Sequence, residues 1–120
     1  MDIQALQKIV VDALEDIKAR DIDVIDTSSL TSMFERIVIA SADSTRQTKA
    51  LANHVLEQVK AAGGSVLSIE GESTGEWVLV DLGSIVVHIM QPAVRAYYNL
   101  EELWMTAPAA RKAAVGSPRG

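Results

Sequence analysis

Residues Trp77 to Met90, WVLVDLGSIVVHIM, admit few structures. Two apolar runs flank Leu82-Gly83-Ser84-Ile85, and glycine at the first central position of a two-residue loop supplies the positive φ of a type II′ turn. The segment therefore reads as a β-hairpin in which Leu82 pairs with Ile85, Val80 with Val87 and Val78 with Ile89. Side chains alternate along strands, so these residues share one face, and that face must be core. The opposite face carries Trp77, Leu79, Asp81, Val86, His88 and Met90, with Asp81 diagonal to His88 and within side-chain reach. A slip of one residue would mix the two sets, so the clean partition supports the register. Covering helices account for Leu79, Val86 and Met90. Trp77 and Asp81 lie nearer the strand ends and are candidates for a working surface, whereas a lone strand histidine is more often a hydrogen-bonded structural residue.

The remaining elements follow from periodicity. Ile3, Leu6, Val10, Ala13, Leu14 and Ile17 form a helical stripe over residues 3–20, with Asp2 as N-cap. Ile22–Asp26 and Met33–Ala40 read as strands joined by a polar connection. Ser44 followed by Gln47 is a capping box opening a second helix, whose stripe is Thr48, Leu51, Ala52, Val55, Leu56 and Val59 and whose end is Gly63-Gly64. His54, at the edge of that stripe, reads as structural. Val66–Ile69 is a third strand, parallel to the second for a right-handed crossover. Pro92 starts a last helix with the stripe Ala93, Ala96, Tyr97, Leu100, Leu103 and Trp104. Tyr98 projects from another side, either as an interface anchor or packed on the sheet edge. The fold class is α/β, a mixed five-stranded sheet flanked by helices in the order α-β-β-α-β-β-β-α. The domain is expected to span residues 1–104, followed by a flexible Ala/Pro-rich tail over 105–120.

Composition narrows the function classes. The 120 residues fit one domain, and the absence of cysteine excludes disulfides and thiolate metal sites. No apolar run reaches the roughly 20 residues of a membrane span, and an amphipathic acidic helix stands where a targeting peptide would be. The expected location is therefore cytoplasmic. The net charge is −5, but residues 105–120 hold Arg111, Lys112 and Arg119 and no acid, leaving −8 on residues 1–104. An acidic body disfavours nucleic-acid phosphates and any direct DNA binding, and it suits a basic protein partner, although ordinary solubility also accounts for it. Only the basic tail leaves room for an RNA contact.

Catalytic patterns are missing. There is no Gly-Lys-Ser/Thr phosphate loop and no dinucleotide fingerprint, since Gly71 and Gly75 lack its spacing. No serine sits in a nucleophile elbow, and two histidines do not make a His-rich metal site. Two-metal nucleotidyl transfer needs clustered carboxylates. Asp81 has Leu79 and Gly83 at the alternate positions, Asp21 and Asp23 lack a preceding Gly-rich turn, and Glu70, Glu72 and Glu76 fall in a loop. An enzyme using Asp81 and His88, hydrolytic or nucleotidyltransferase-like, remains the alternative function, with Asp81-His88 otherwise a structural polar pair.

Taken in order, Glu70-Gly71-Glu72, Trp77-x-x-x-Asp81-Leu82-Gly83 and Val87-His88-x-Met90-Gln91 carry a resemblance, supported by Ser44-Thr45-Arg46-Gln47 and Tyr98-x-Leu100-Glu101-x-Leu103-Trp104. Over residues 3–104 the chain resembles the ribosomal silencing factor, or Iojap-like, family (RsfS in bacteria). Pro92 departs from the acidic residue common in that family and should firm the helix start. The resemblance implies a nucleotidyltransferase-like topology without the catalytic carboxylates, no cofactor and no enzymatic activity. It implies binding to the large ribosomal subunit through its protein number fourteen, obstruction of small-subunit joining, lowered translation when nutrients are short, and a homodimer when free. Local chemistry then assigns Trp77 and Tyr98 as aromatic anchors, and Asp81, Glu70 and Glu72 as partners for Lys or Arg. Leu82 and Gly83 form a hairpin tip that permits close approach, with the reservation that the register turns the Leu82 side chain toward the core.

Overall fold

The computed structural model describes residues 1–105; the expected tail lies outside the described residues but for Met105, which ends the last helix. The elements run α1 (Ile3–Asp16), β1 (Arg20–Asp26), β2 (Arg36–Ser41), α2 (Thr45–Ala61), β3 (Ser68–Glu70), β4 (Trp77–Asp81), β5 (Ile85–Met90), α3 (Pro92–Tyr98) and α4 (Leu100–Met105). One mixed sheet has the order β1-β2-β5-β4-β3. β2 and β5 run parallel and the other neighbours antiparallel. β3 thus points the same way as β2, as a crossover through α2 requires, but β5 and β4 lie between them.

The hairpin forms in the expected register, with Val78 opposite Ile89 and Val80 opposite Val87. The Leu82 amide donates to the Ile85 carbonyl at 2.9 Å, and Gly83 takes φ +88°. Val78, Val80, Leu82, Ile85, Val87 and Ile89 are all buried in the main core beneath α1 and α2. Ile37, Ile39 and Met90 alternate with that set onto the opposite face, where a smaller core gathers Phe34, Leu100 and Trp104. Period-two alternation on the two central strands therefore builds a sheet covered fully on one face and partly on the other.

Local chemistry sets the boundaries. Asp2 caps α1 by accepting from the Ala5 amide at 2.8 Å. The helix is four residues shorter than its expected span. Lys18 turns left-handed at φ 65° and the Ala19 amide returns to the Leu14 carbonyl, a C-terminal closure that frees Arg20 to begin β1. Ser44 accepts from the Gln47 amide at 3.1 Å. The Gln47 side chain reaches back to the Asp43 amide and also donates to the carbonyls of Ile17 and Lys18, tying the start of α2 to the end of α1. His54 Nε2 lies 3.0 Å from Asp16 Oδ2, a second α1–α2 tie. β2 starts three residues later than expected, and Met33 stays in the connection, 80% exposed. β3 is shorter than its expected span.

The last helix departs most from expectation. Asn99 adopts the left-handed conformation, φ 49° and ψ 55°, and splits the helix in two. Ala93, Ala96, Tyr97 and Leu103, assigned to a buried stripe, are exposed. What α3 buries is Arg95, only 8% exposed. Its Nη1 donates to the Asp21 carbonyl (2.7 Å) and Ser41 Oγ (2.8 Å), its Nη2 to Asp23 Oδ2 (2.9 Å) and its Nε to Glu101 (3.3 Å). One guanidinium thus joins α3 to β1, β2 and α4, a use of five fixed donors that lysine cannot copy. Arg95→Met is expected to cost about 2 kcal/mol, because the buried Ser41 hydroxyl and two carboxylates lose their donor while half-exposed Asp23 regains water. Urea unfolding checks this, and an unchanged midpoint would show the clasp to be incidental.

Candidate functional site

The partly covered face carries the site. At one end of β4, the Trp77 and Tyr98 rings lie 4.8 Å apart at 50°, with Tyr98 54% exposed. Trp77 Nε1 donates to His88 Nδ1 at 2.9 Å. This bond fixes the indole plane. It also requires Nδ1 of His88 to be unprotonated, so the neutral ring carries its proton on Nε2. Burial holds the His88 imidazole at a pKa of about 4, well below its usual value, so it is uncharged at neutral pH.

At the other end of β4, Asp81 caps the turn: its Oδ1 accepts from the Gly83 amide at 2.8 Å. Asp81 and His88 border the same groove, yet their hydrogen bonds go to Gly83 and Trp77, and no hydrogen bond joins them among the described residues. An imidazole held neutral and engaged at Nδ1 is poorly placed to act as a general base toward Asp81. Leu82, read as a contact, turns its side chain into the core with 7% exposure, so a partner would meet the backbone of the tip there. Glu70 is exposed at the end of β3 and Glu72 is half-buried in the following loop.

Between the two ends lies a groove of about 470 Å³. Leu79, Val86 and His88 of the hairpin form its floor, with Phe34, Leu100 and Trp104 as a wall. Phe34 and Trp104 pack edge to face, centroids 5.6 Å apart. Met33, Leu67 and Leu103 rim it, and Glu70 and Asp81 are its charged lining. The predicted residues thus fall into an aromatic cluster (Trp77, Tyr98) and an acidic one (Glu70, Asp81, with Gly83), joined by a groove that the sequence reading missed. The groove depends on Asn99, a residue type tolerant of positive φ, whose left-handed turn sets Leu100 and Trp104 onto the sheet. Among the described residues no acidic or histidine cluster has metal-holding geometry, and no helix is long and apolar enough to cross a membrane.

Fold and site together define a small α/β domain with an open, aromatic and acidic sheet face. The family model "Ribosomal silencing factor during starvation" matches residues 1–119, and the chain belongs to that family. It is 55% identical over 104 residues to the ribosomal silencing factor RsfS of Chromobacterium violaceum, covering 87% of this chain and 85% of that protein. It is 36% identical over 110 residues to the ribosomal silencing factor RsfS of Bacillus subtilis, covering 92% and 93%. A crystal structure of a Chromobacterium violaceum protein superposes with a TM-score of 0.85 at 55% identity, covering 87% of each chain.

Proposed function

We propose that this protein binds the large ribosomal subunit through ribosomal protein fourteen and obstructs joining of the small subunit, thereby repressing translation under nutrient limitation. It acts as a bound obstacle in the cytoplasm, without catalysis, and is a homodimer when free. Family membership supports the ribosomal role. The observation that carries the docking reading is the Trp77–Tyr98 pair. Two large aromatics meet at a tilt in partial exposure, and the indole is already oriented by His88. An oriented aromatic loses little further freedom on binding. Across the groove from that pair, Glu70 and Asp81, with Glu72 in the loop after β3, give the face a negative rim on a body of charge −8, matched to a basic ribosomal protein.

The direct test is a gradient profile of purified subunits with and without the protein. Separated halves should fail to assemble in its molar excess, and unhindered assembly would refute the obstruction reading. The anchors have their own test. Trp77→Ala and Tyr98→Ala should each lower affinity for large subunits by about 2 kcal/mol, roughly thirtyfold. Circular dichroism should show the fold retained. Normal co-sedimentation of both variants would remove the anchor assignment.

A further inference from the structure

We infer that the groove between the sheet and α4 is a socket for an apolar side chain flanked by a cationic one, both presented by the macromolecule that meets Trp77 and Tyr98. This rests on the docking reading above and names what the partner must bring. Three apolar side chains stay largely in water at the groove's rim: Met33 at 80% exposure, Leu67 at 67% and Leu103 at 62%. They come from three separate segments, the β1–β2 connection, the stretch before β3, and α4. Single exposed apolar residues are ordinary, but three converging on one apolar concavity form a patch of the kind that marks an interaction site.

The walls define the occupant's chemistry. Leu79, Val86 and Trp104 offer carbon surface, and the neutral imidazole of His88 adds no charge. Among the described residues the charged lining is Glu70 and Asp81, with no cation. The Asp81 carboxylate is already oriented by the Gly83 amide. An apolar floor beneath two carboxylates complements an aliphatic or aromatic side chain adjacent to Lys or Arg. A second copy of this chain fits poorly, since it would set the acidic rim against another acidic body. The wall itself is held in place rather than free: α4 is a six-residue helix too short to stand alone, and Arg95 clasps it through Glu101.

The test uses the full chain and purified large subunits. Leu67→Ser and Leu103→Ser remove apolar area at exposed positions, so the melting temperature should hold. Each is expected to weaken subunit binding about tenfold. Glu70→Gln combined with Asp81→Asn should flatten the salt dependence of that binding. Wild-type affinity in both leucine variants, with Trp77→Ala still impaired, would overturn the socket and leave the docking surface standing. Wild-type affinity in all of them, Trp77→Ala and Tyr98→Ala included, would overturn both. If the leucine variants change only self-association in sedimentation velocity, the occupant is a second copy and the inference fails. It also fails if Arg111→Glu with Lys112→Glu tightens subunit binding and Leu103→Ser abolishes that gain, because the groove would then hold the protein's own C-terminal segment.

Discussion

Gly71→Ala is expected to destabilise the domain by about 4 kcal/mol, near the top of the range for single substitutions. Gly71 follows β3 at φ +89°, where an L side chain sets its Cβ against neighbouring backbone. A Cβ here would fall inside contact distance of the Trp77 carbonyl oxygen and sit 3.2 Å from its carbonyl carbon. Those atoms belong to the first residue of β4 and cannot swing aside as a flexible side chain would. The loop must lift away, and Glu70, Glu72 and Trp77 lose their spacing together. Gly63 supplies the internal control, since it has the same φ of +89° with nothing within 4 Å of its would-be Cβ. Gly63→Ala should therefore cost about 1 kcal/mol, the left-handed penalty alone. Thermal melts should separate the variants clearly, Gly71→Ala falling by on the order of 15 °C and Gly63→Ala by about 4 °C. Equal losses would mean that the Gly71 contact relaxes freely and that the loop is not locked to the docking strand.

The same two levels, local pattern and long-range contact, explain what the sequence disclosed. The hairpin was legible because its register is enforced twice, by the Gly83 turn and by an apolar set that one slip would expose. The α1 and α2 starts were legible because the Asp2 and Ser44 caps act within three residues. The C-terminal helices were not. A period of 3.6 over Ala93 to Trp104 looks continuous until one residue adopts positive φ, and no local signal distinguishes an Asn that stays helical from one that does not. Arg95 was invisible for a related reason. A guanidinium is buried when carbonyls and carboxylates converge on it, and three of its four partners lie 54 to 74 residues away in sequence. For the site, the sequence singled out Trp77, Tyr98, Glu70 and Asp81 only as individual candidates. The groove between them is a product of topology, assembled from the β1–β2 connection, the segment before β3, the hairpin and α4.

Acidification from pH 7.5 to 4.5 is expected to remove about 2.5 kcal/mol of stability through His88 alone. Its imidazole has a pKa of about 4 in the folded chain because burial strips the charged form of water, against 6.5 when exposed. The unfolded chain therefore takes up the proton first. Stability from this group is complete above pH 6.5, falls as pH drops toward 4, and changes no further below that. Asp26 acts in a lower window. Hydrogen bonds from the Ser28 hydroxyl and amide hold its carboxyl below the usual 3.8, so its contribution persists above that value and is lost only beneath it. His88 links stability to the docking face, because a proton on Nδ1 sets two donors against each other and releases the Trp77 indole. Urea titrations at both pH values, on wild type and on His88→Gln, isolate the term: glutamine still offers Trp77 an acceptor but does not titrate. The wild type should lose about 2.5 kcal/mol more than the variant over this interval, whereas its affinity for large subunits should fall only as pH approaches 4, where the ring titrates in the folded chain. Identical losses in the two proteins would mean that the ring is not held neutral by burial, and the account of how Trp77 is oriented would fall with it.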